Sequence, residues 1–214
     1  MTKLVHEIPL LLQGVVITLQ ISVLVIIVGT LIGIFGGLGL LYGPLWLRAL
    51  LRGYVDIVRG LPLLVTIFII FYVPPALDIE VSGFAAVTVA LSIFAGAHIS
   101  EIVRGTVSSV PRGQNDAARA LGLTFWPRIW NVILPQALPA IIPPWTNTAV
   151  EMVKGSSLAY LVSVSELLFQ TYKIVGRTGA AMQLYIAAAL LYFAINFALS
   201  RAGLWLERRV RYTT

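Results

Sequence analysis

The amino-acid sequence predicts an all-α integral membrane protein, for three reasons. Hydrophobic residues make up 58% of the 214 positions, charged residues make up only 11%, and the mean hydropathy is +0.91. A soluble domain carries roughly 25% charged residues. The apolar runs are also continuous rather than alternating. This indicates helices and excludes a transmembrane β-barrel, the only other structure whose backbone hydrogen bonds are satisfied in lipid.

Five apolar intervals predict about five transmembrane helices in a single domain that covers residues 1–214. They lie at approximately 10–41, 61–77, 83–104, 136–164 and 180–206. The first interval far exceeds the apolar core of a signal peptide and is long enough to cross a bilayer with tilt. The connections between them include Tyr42 to Arg59 after the first span, and Glu166, Lys173, Gly176 and Arg177 before the last.

The fourth span is heavily interrupted. Pro139, Pro143 and Pro144 are expected to distort its start, because proline lacks a backbone N–H and clashes with the preceding turn. The run Lys154-Gly155-Ser156-Ser157 is expected to break the helix later and to free backbone N–H and C=O groups.

Three glycines in the first span predict a close helix contact. Gly29, Gly33 and Gly37 are spaced by four residues and therefore share one helix face. Small residues at this spacing let two helices approach closely in lipid. The partner helix belongs either to the same chain or to a second subunit.

Basic residues divide unequally between the two sides of the membrane, which predicts the orientation. Short cytoplasmic loops carry an excess of lysine and arginine. One side receives three such residues, Lys3, Lys173 and Arg177. The other receives eleven: Arg48, Arg52, Arg59, Arg104, Arg112, Arg119, Arg128, Arg201, Arg208, Arg209 and Arg211. The N-terminus is therefore expected outside and the C-terminus in the cytoplasm. Since these residues flank spans rather than form one patch, the net charge of +6 does not indicate a nucleic-acid partner.

The polar interval 107–135 predicts a cytoplasmic helix–turn–helix. The run Asp116-Ala117-Ala118-Arg119 has helical spacing, and an ion pair can form between its first and last residues. Gly122 permits the backbone conformation in which a helix ends and turns. A second short helix is expected over Trp126 to Val132, with a break at Pro135. The two alanines allow another backbone to approach, so the interval is interpreted as a docking surface.

This interval resembles the EAA loop of the membrane subunits of ABC importers. In that loop Glu-Ala-Ala is followed after three residues by Gly and, after nine more, by Ile-x-Leu-Pro. Here Asp116-Ala117-Ala118, Gly122 and Val132-Ile133-Leu134-Pro135 have that spacing, with Asp for Glu and Val for Ile. The runs Arg59-Gly60-Leu61-Pro62-Leu63-Leu64, Glu101-Ile102-Val103-Arg104-Gly105 and Val110-Pro111-Arg112-Gly113-Gln114 look like the histidine and glutamine branch of polar amino-acid permeases. The likeness extends from about Gly14 to Arg209.

The resemblance implies a type I ABC importer permease fold in the bacterial cytoplasmic (inner) membrane, with several partners. A dimer of separate ABC ATPases would dock on the loop, a second identical or paralogous permease subunit would complete the path, and a periplasmic or lipid-anchored solute-binding protein would deliver the ligand. The ligand would be a polar amino acid or a related opine or compatible solute; a non-amino-acid ligand is the alternative. The implied coupling residues are Asp116, Ala117, Ala118, Arg119, Gly122, Leu134 and Pro135.

Ionisable residues inside the fourth span are candidates for a substrate pathway, because charges in a membrane need a partner or water. Glu151 and Lys154 lie at i and i+3, on one helix face, and can pair. Beside a helix break, Glu151 would bind the ammonium group of an amino acid. Lys154, with Ser156 and Ser157, would bind its carboxylate. A structural ion pair that fixes the kink is the alternative. The family usually has Lys-Asp-Thr-Ser here, where this chain has Lys-Gly-Ser-Ser.

Two further regions contain polar residues within spans. Glu101 is expected to pair with Arg104, one turn away. His98 is expected to pack and to hydrogen-bond to a neighbour, with a pathway role as the alternative. Asn147 and Thr148 either line the pathway or cap a distorted helix. Three tryptophans are interpreted as interfacial anchors: Trp126, Trp130 and Trp145.

Two other classes of protein fit the sequence less well. An intramembrane enzyme needs a nucleophile with a base, or a metal site. The chain has two histidines, His6 and His98, no cysteine, and neither an HExxH nor a GxSxG motif, so no catalytic or metal site is expected. A channel or secondary carrier would not require the docking loop. The chain also lacks a Walker-type phosphate loop, so no cofactor is expected on it, and ATP with Mg²⁺ would be bound by the partner ATPase.

Overall fold

A computed structural model describes residues 7–211, and all regular secondary structure in that range is helical. In chain order the α-helices are α1 Ile8–Tyr42, α2 Leu45–Gly60, α3 Leu63–Tyr72, α4 Gly83–Ser109, α5 Arg112–Ala120, α6 Phe125–Arg128, α7 Leu134–Gly155, α8 Leu167–Thr178 and α9 Ala181–Arg211. Short 3₁₀ segments follow α3 (Pro74–Leu77) and α7 (Ser156–Val162), and a π-helical segment, Ile129–Ile133, joins α6 to α7. His6 and Lys3 lie outside the described residues.

Three helices are each long and apolar enough to cross a membrane: α1, α4 and α9. Two pairs of consecutive helices, each bent at a short break, are the remaining candidate spans. In the first pair the axis turns by 106° between α2 and the segment Leu63–Leu77, which begins with α3. In the second pair it turns by 49° between the segment Phe125–Val162, which contains α6 and α7, and α8. If each bent pair is one span, the described chain has five, which agrees with the expected number.

The centre of the fold is the contact between α1 and α4. The glycines of α1 are buried against α4, with Gly29 facing Ala95, Gly33 facing Ile99 and Gly37 facing Val103. A methyl group on Gly37 would lie 2.7 Å from the carbonyl oxygen of Ser100. Such spacing leaves no room for a side chain. The predicted glycine face is therefore used for packing within this chain.

The interval 42–59, expected to be a connection, forms the amphipathic helix α2. Its buried face presents Val55 and Val58 to Leu40 of α1 and Ala97 of α4. Pro62 then lies at the N-cap of α3, after the turn at Leu61. Since α3 has only 10 residues and a bilayer needs roughly 20, the interval 61–77 does not form one straight span.

The fourth predicted span is more regular than its sequence indicates. Pro135 lies in the first turn of α7 and does not separate that helix from the preceding π-helical segment, so the expected break is absent there. Pro139, Pro143 and Pro144 lie inside α7. The α-helix ends at Gly155, within the run where a break was expected, but the chain continues directly as a 3₁₀ helix through Val162. The expectation of freed backbone groups at 154–157 was wrong.

The glycine packing predicts opposite effects for two matched substitutions. Gly37→Ala should lower the thermal unfolding midpoint of the detergent-purified protein, because overpacking costs about 1–3 kcal/mol. Gly53→Ala in α2 should leave it unchanged or raise it, since a Cβ there meets no described atom within 4 Å and a helical Gly→Ala change gains about 0.5–1 kcal/mol. Equal midpoints for the two variants would contradict the packing account.

Candidate coupling loop and substrate pathway

The turn after α5 has the backbone conformation expected of Gly122. Its φ angle is +77°, in the left-handed region that favours glycine. The N–H of Gly122 donates to the carbonyl oxygen of Arg119 at 2.9 Å, and the N–H of Leu123 donates to that of Ala118 at 3.1 Å. These two bonds satisfy carbonyls that a helix end otherwise leaves without partners. The polar loop itself is shorter than 107–135, because α4 extends to Ser109 and α7 begins at Leu134.

The side chains of the loop fall into an exposed set and a buried set. Asp116, Ala117 and Arg119 are exposed, whereas Ala118 is buried beneath the turn. Leu121 is 81% exposed, an apolar residue at the tip of a polar loop. No ion pair joins Asp116 to Arg119 in the described structure, so that expectation was wrong. The exposed surface therefore offers charges, a small residue and one leucine to a partner.

The base of the loop is fixed to the membrane helices. The ring of Tyr42, at the end of α1, packs edge-on against Phe125 with 5.2 Å between centroids. Gln136 of α7 donates to the side-chain oxygen of Gln114 of α5 at 3.1 Å. Leu134 and Pro135 are half-buried in the first turn of α7. They belong to this base and not to the exposed surface.

Polar residues follow one side of α7. Asn147, Glu151 and Lys154 are all exposed, and their spacing of four and three residues puts them on one helix face. Glu151 and Lys154 form no ion pair with each other among the described residues, so the structural pair considered above is absent. Ionisable groups in a span face water or another polar surface. This face of α7 is the candidate wall of a substrate pathway.

Ser156 and Ser157 do not extend that wall as expected. Ser156 is fully buried, and its hydroxyl donates to the Val153 carbonyl oxygen at 2.7 Å. The hydroxyl of Ser157 donates to the Lys154 carbonyl oxygen, also at 2.7 Å. Both hydroxyls are used within their own helix, because the chain stays helical at this point.

His98 joins the polar face from α4. Its ring packs against Phe94 at 4.6 Å between centroids, and its Nε2 atom is buried without a hydrogen-bond partner among residues 7–211. The expected hydrogen bond to a neighbour is thus missing at that atom. Glu151 and Arg59 both lie close enough to act electrostatically on the imidazole. Arg59, at the end of α2, was not among the predicted pathway residues.

Glu101 forms the ion pair with Arg104 that its spacing predicts, and a second pair as well. Its Oε2 accepts bonds from Arg104 at 2.7 and 2.9 Å. Its Oε1 accepts one from Arg52 of α2 at 2.7 Å. The carboxylate therefore links α2 to α4 beside the polar face.

Glu166 is a structural residue that sequence reasoning misplaced in a polar connection. It is fully buried at the N-cap of α8, where its carboxylate accepts from the N–H groups of Leu168 and Phe169 at 2.9 and 2.7 Å. The hydroxyl of Tyr192 of α9 donates to it at 2.6 Å. The N–H of Leu167 donates to Thr18 of α1 at 3.2 Å. This network ties α1, α8 and α9 together.

The helical arrangement and its loop define the membrane subunit of a type I ABC importer. The chain belongs to the family of binding-protein-dependent transport system inner membrane components, whose profile matches residues 29–212. It is therefore an inner-membrane transport protein, and the resemblance found in the sequence is confirmed. Permeases of this family work with separate ATPases and with binding proteins.

Named relatives cover almost the whole chain. The probable amino-acid ABC transporter permease protein YckA of Bacillus subtilis (strain 168) is 38% identical over 91% of this chain and 86% of its own length. The L-cystine transport system permease protein TcyB of the same organism is 36% identical over 94% of this chain and 87% of its own. The glutamine transport system permease protein GlnP of Escherichia coli (strain K12) is 36% identical over 95% of this chain and 94% of its own length.

Solved structures share the same fold. A crystal structure of an amino acid ABC transporter with histidines superposes with a TM-score of 0.89 at 30% identity, covering 97% of both chains. An inward-facing structure of the MetNI methionine ABC transporter superposes with a TM-score of 0.81 at 24% identity, over 94% of this chain and 96% of that one. The type I permease fold expected from the sequence is confirmed.

The buried Glu166 network predicts a stability difference between two tyrosine substitutions in α9. Tyr192→Phe removes a hydrogen bond from a buried carboxylate, which should cost about 1–3 kcal/mol and lower the thermal unfolding midpoint in detergent. Tyr185→Phe, at an exposed position of the same helix, should have little effect. If both variants unfold at the parent midpoint, the network does not stabilise the fold.

Proposed function

We propose that this chain is the non-catalytic, membrane-spanning subunit of an importer for polar amino acids or related compounds. The main support for the proposal is the polar face formed by α7 and α4. The α7 side of this face is exposed and is connected to the docking loop by continuous helix. The names of the relatives, which include glutamine and L-cystine permeases, support the ligand class. A ligand other than an amino acid is the alternative within the family.

The ligand would contact the residues that α2, α4 and α7 bring together. Glu151 is suited to the ammonium group of an amino acid, and Lys154 or Arg59 to its carboxylate, since each offers the opposite charge. Asn147 and His98 would add hydrogen bonds to the polar side chain of the ligand. Because Glu151 and Lys154 are not paired with each other, both charges are free to interact with a zwitterion.

A separate ATPase dimer would drive transport through the loop. Asp116, Ala117 and Arg119 would contact a groove on the ATPase, and Leu121 would insert its exposed side chain into it. The ATP and Mg²⁺ would be held by that partner, with no cofactor on this chain. Since α6, the π-helical segment and α7 run without a break, movement at the loop would reach the polar face directly.

Two more partners complete the proposed assembly. An exposed polar face in a membrane needs to be covered by water and protein, so a second permease subunit, identical or paralogous, would enclose the pathway. A solute-binding protein would deliver the ligand from outside. In the proposed orientation, which rests on the distribution of basic residues, the N-terminus is outside and the C-terminus cytoplasmic. The bond between Arg177 and Glu7 at 2.8 Å puts the end of α8 and the start of α1 on the same side.

Coupling can be tested at Gly122. Gly122→Val should abolish the stimulation of ATPase activity by the liganded binding protein in the reconstituted complex, because a β-branched residue is strongly disfavoured at a φ of +77°. Gly122→Asn should retain most of it, since asparagine tolerates the left-handed region. Gly113→Val, in helical backbone of the same loop, is the matched control. Full stimulation with Gly122→Val and normal membrane insertion would remove the coupling role.

The ligand role of Glu151 can be separated from coupling. Glu151→Gln removes the negative charge with little change of shape, so ligand uptake into proteoliposomes should fall about tenfold or more, as expected for a lost charged contact of at least ~1.4 kcal/mol. The basal ATPase activity should stay near that of the parent. Asp78→Gln, in the loop after α3, serves as a control for loss of charge. Normal uptake with Glu151→Gln would exclude the carboxylate from the pathway.

A further inference from the structure

Two apolar grooves run beside the half of α1 that is nearest the loop. The first, of about 440 Å³, lies between α1, α2 and α6 and is lined by Leu31, Phe35, Tyr42, Leu47, Phe125 and Trp126 among others. The second, also of about 440 Å³, lies between α1, α4, α7 and α9 and is lined by Thr30, Val103, Leu138, Ile142, Trp145 and Leu206 among others. Ile34 and Trp130 line both grooves, so they are neighbours separated by one indole ring.

The grooves face away from the proposed pathway. Leu138, Ile142 and Trp145 lie on one side of α7, and the helical repeat of 3.6 residues puts Asn147, Glu151 and Lys154 on the opposite side. A second permease subunit that encloses the polar face therefore leaves the grooves uncovered. Their rims are apolar and exposed, with Phe35 70% and Leu31 52% exposed. Such surfaces within a span contact lipid.

A basic residue, Arg128, lies beside the first groove. The guanidinium of Arg128 lies over the ring of Phe125, 5.8 Å from its centroid, and it interacts electrostatically with Tyr42, so both of its neighbours line the groove. Its Nε atom is buried without a hydrogen-bond partner in the described part of the chain. Trp126 and Trp130 lie beside it, and tryptophan concentrates at the level of lipid headgroups. This region therefore combines interfacial aromatic rings with an unsatisfied cationic donor.

We propose that the two grooves bind one anionic phospholipid of the leaflet on the loop side. Its two acyl chains occupy the two grooves on either side of Trp130, and its phosphate accepts hydrogen bonds from Arg128. A diacyl lipid matches a pair of adjacent apolar grooves, and an anionic headgroup matches a guanidinium that forms no ion pair among residues 7–211. The lipid would then lie against Phe125 and the base of the coupling loop. The leaflet is the cytoplasmic one if the proposed orientation holds.

Binding of lipid in the grooves can be measured by the quenching of tryptophan fluorescence. In a variant that combines Trp46→Phe with Trp205→Phe, the remaining tryptophans of the chain are Trp126, Trp130 and Trp145, and all three line the grooves. The assembled transporter carrying this chain is placed in phosphatidylcholine nanodiscs that contain a fixed mole fraction of dibrominated phosphatidylglycerol or dibrominated phosphatidylcholine. The same complex with all five tryptophans of the chain replaced by phenylalanine supplies the background. Bromine quenches the indole fluorescence of residues that it contacts.

Dibrominated phosphatidylglycerol should quench the fluorescence more strongly than dibrominated phosphatidylcholine does. Its apparent association constant should be about fivefold higher, because that is the preference for an anionic lipid that one interfacial arginine produces. Arg128→Gln should remove this preference, whereas Arg128→Lys, and Arg201→Gln on α9, should keep it. Equal quenching by the two lipids, or a preference that survives Arg128→Gln, would overturn the proposal. Absence of quenching by either lipid would overturn it too, because the grooves would then be covered by a protein subunit.

Discussion

The close contact between α1 and α4 is the constraint on which the rest of the structure depends. Five glycines of α1 are buried, and methyl groups on Gly29, Gly33 and Gly37 would collide with atoms of α4. In lipid there is no hydrophobic force between helices, so close packing of small residues supplies much of the attraction. With α1 held against α4, the shorter helices take positions around this pair. Both the loop base at Tyr42 and the polar residues of α4 are fixed by it.

One continuous helical segment connects the loop to the polar face. From Phe125 to Glu151 the chain is continuously helical, a distance of about 40 Å at 1.5 Å per residue. Glu101 of α4 joins that helix to α2 through its ion pair with Arg52, next to His98 on the polar face. A displacement of the loop by an ATPase would therefore move the α7 side of the pathway relative to the α1–α4 pair.

Local patterns in the sequence predicted the features that depend on local chemistry. The glycine spacing predicted a helix face, Gly122 predicted the left-handed turn, and Glu101 with Arg104 predicted an ion pair. Features that depend on distant residues were missed. Glu166 was assigned to a polar connection because nothing nearby shows that Tyr192, 26 residues later, covers its carboxylate. The α-helix ends at Gly155, within the run where a break was expected, but the chain does not open there because it continues as a 3₁₀ helix packed against neighbouring helices.

Site-specific crosslinking tests most directly the claim that the loop is the surface that docks the ATPase. The chain has no cysteine, so single cysteines can be placed at the exposed Ala117 and, as a control, at Ile79 in the loop after α3. The assembled transporter should form a crosslink between Ala117→Cys and the ATPase subunit, sensitive to ATP, and none from Ile79→Cys. A crosslink to the ATPase from Ile79→Cys, or none from Ala117→Cys under any nucleotide condition, would contradict the account.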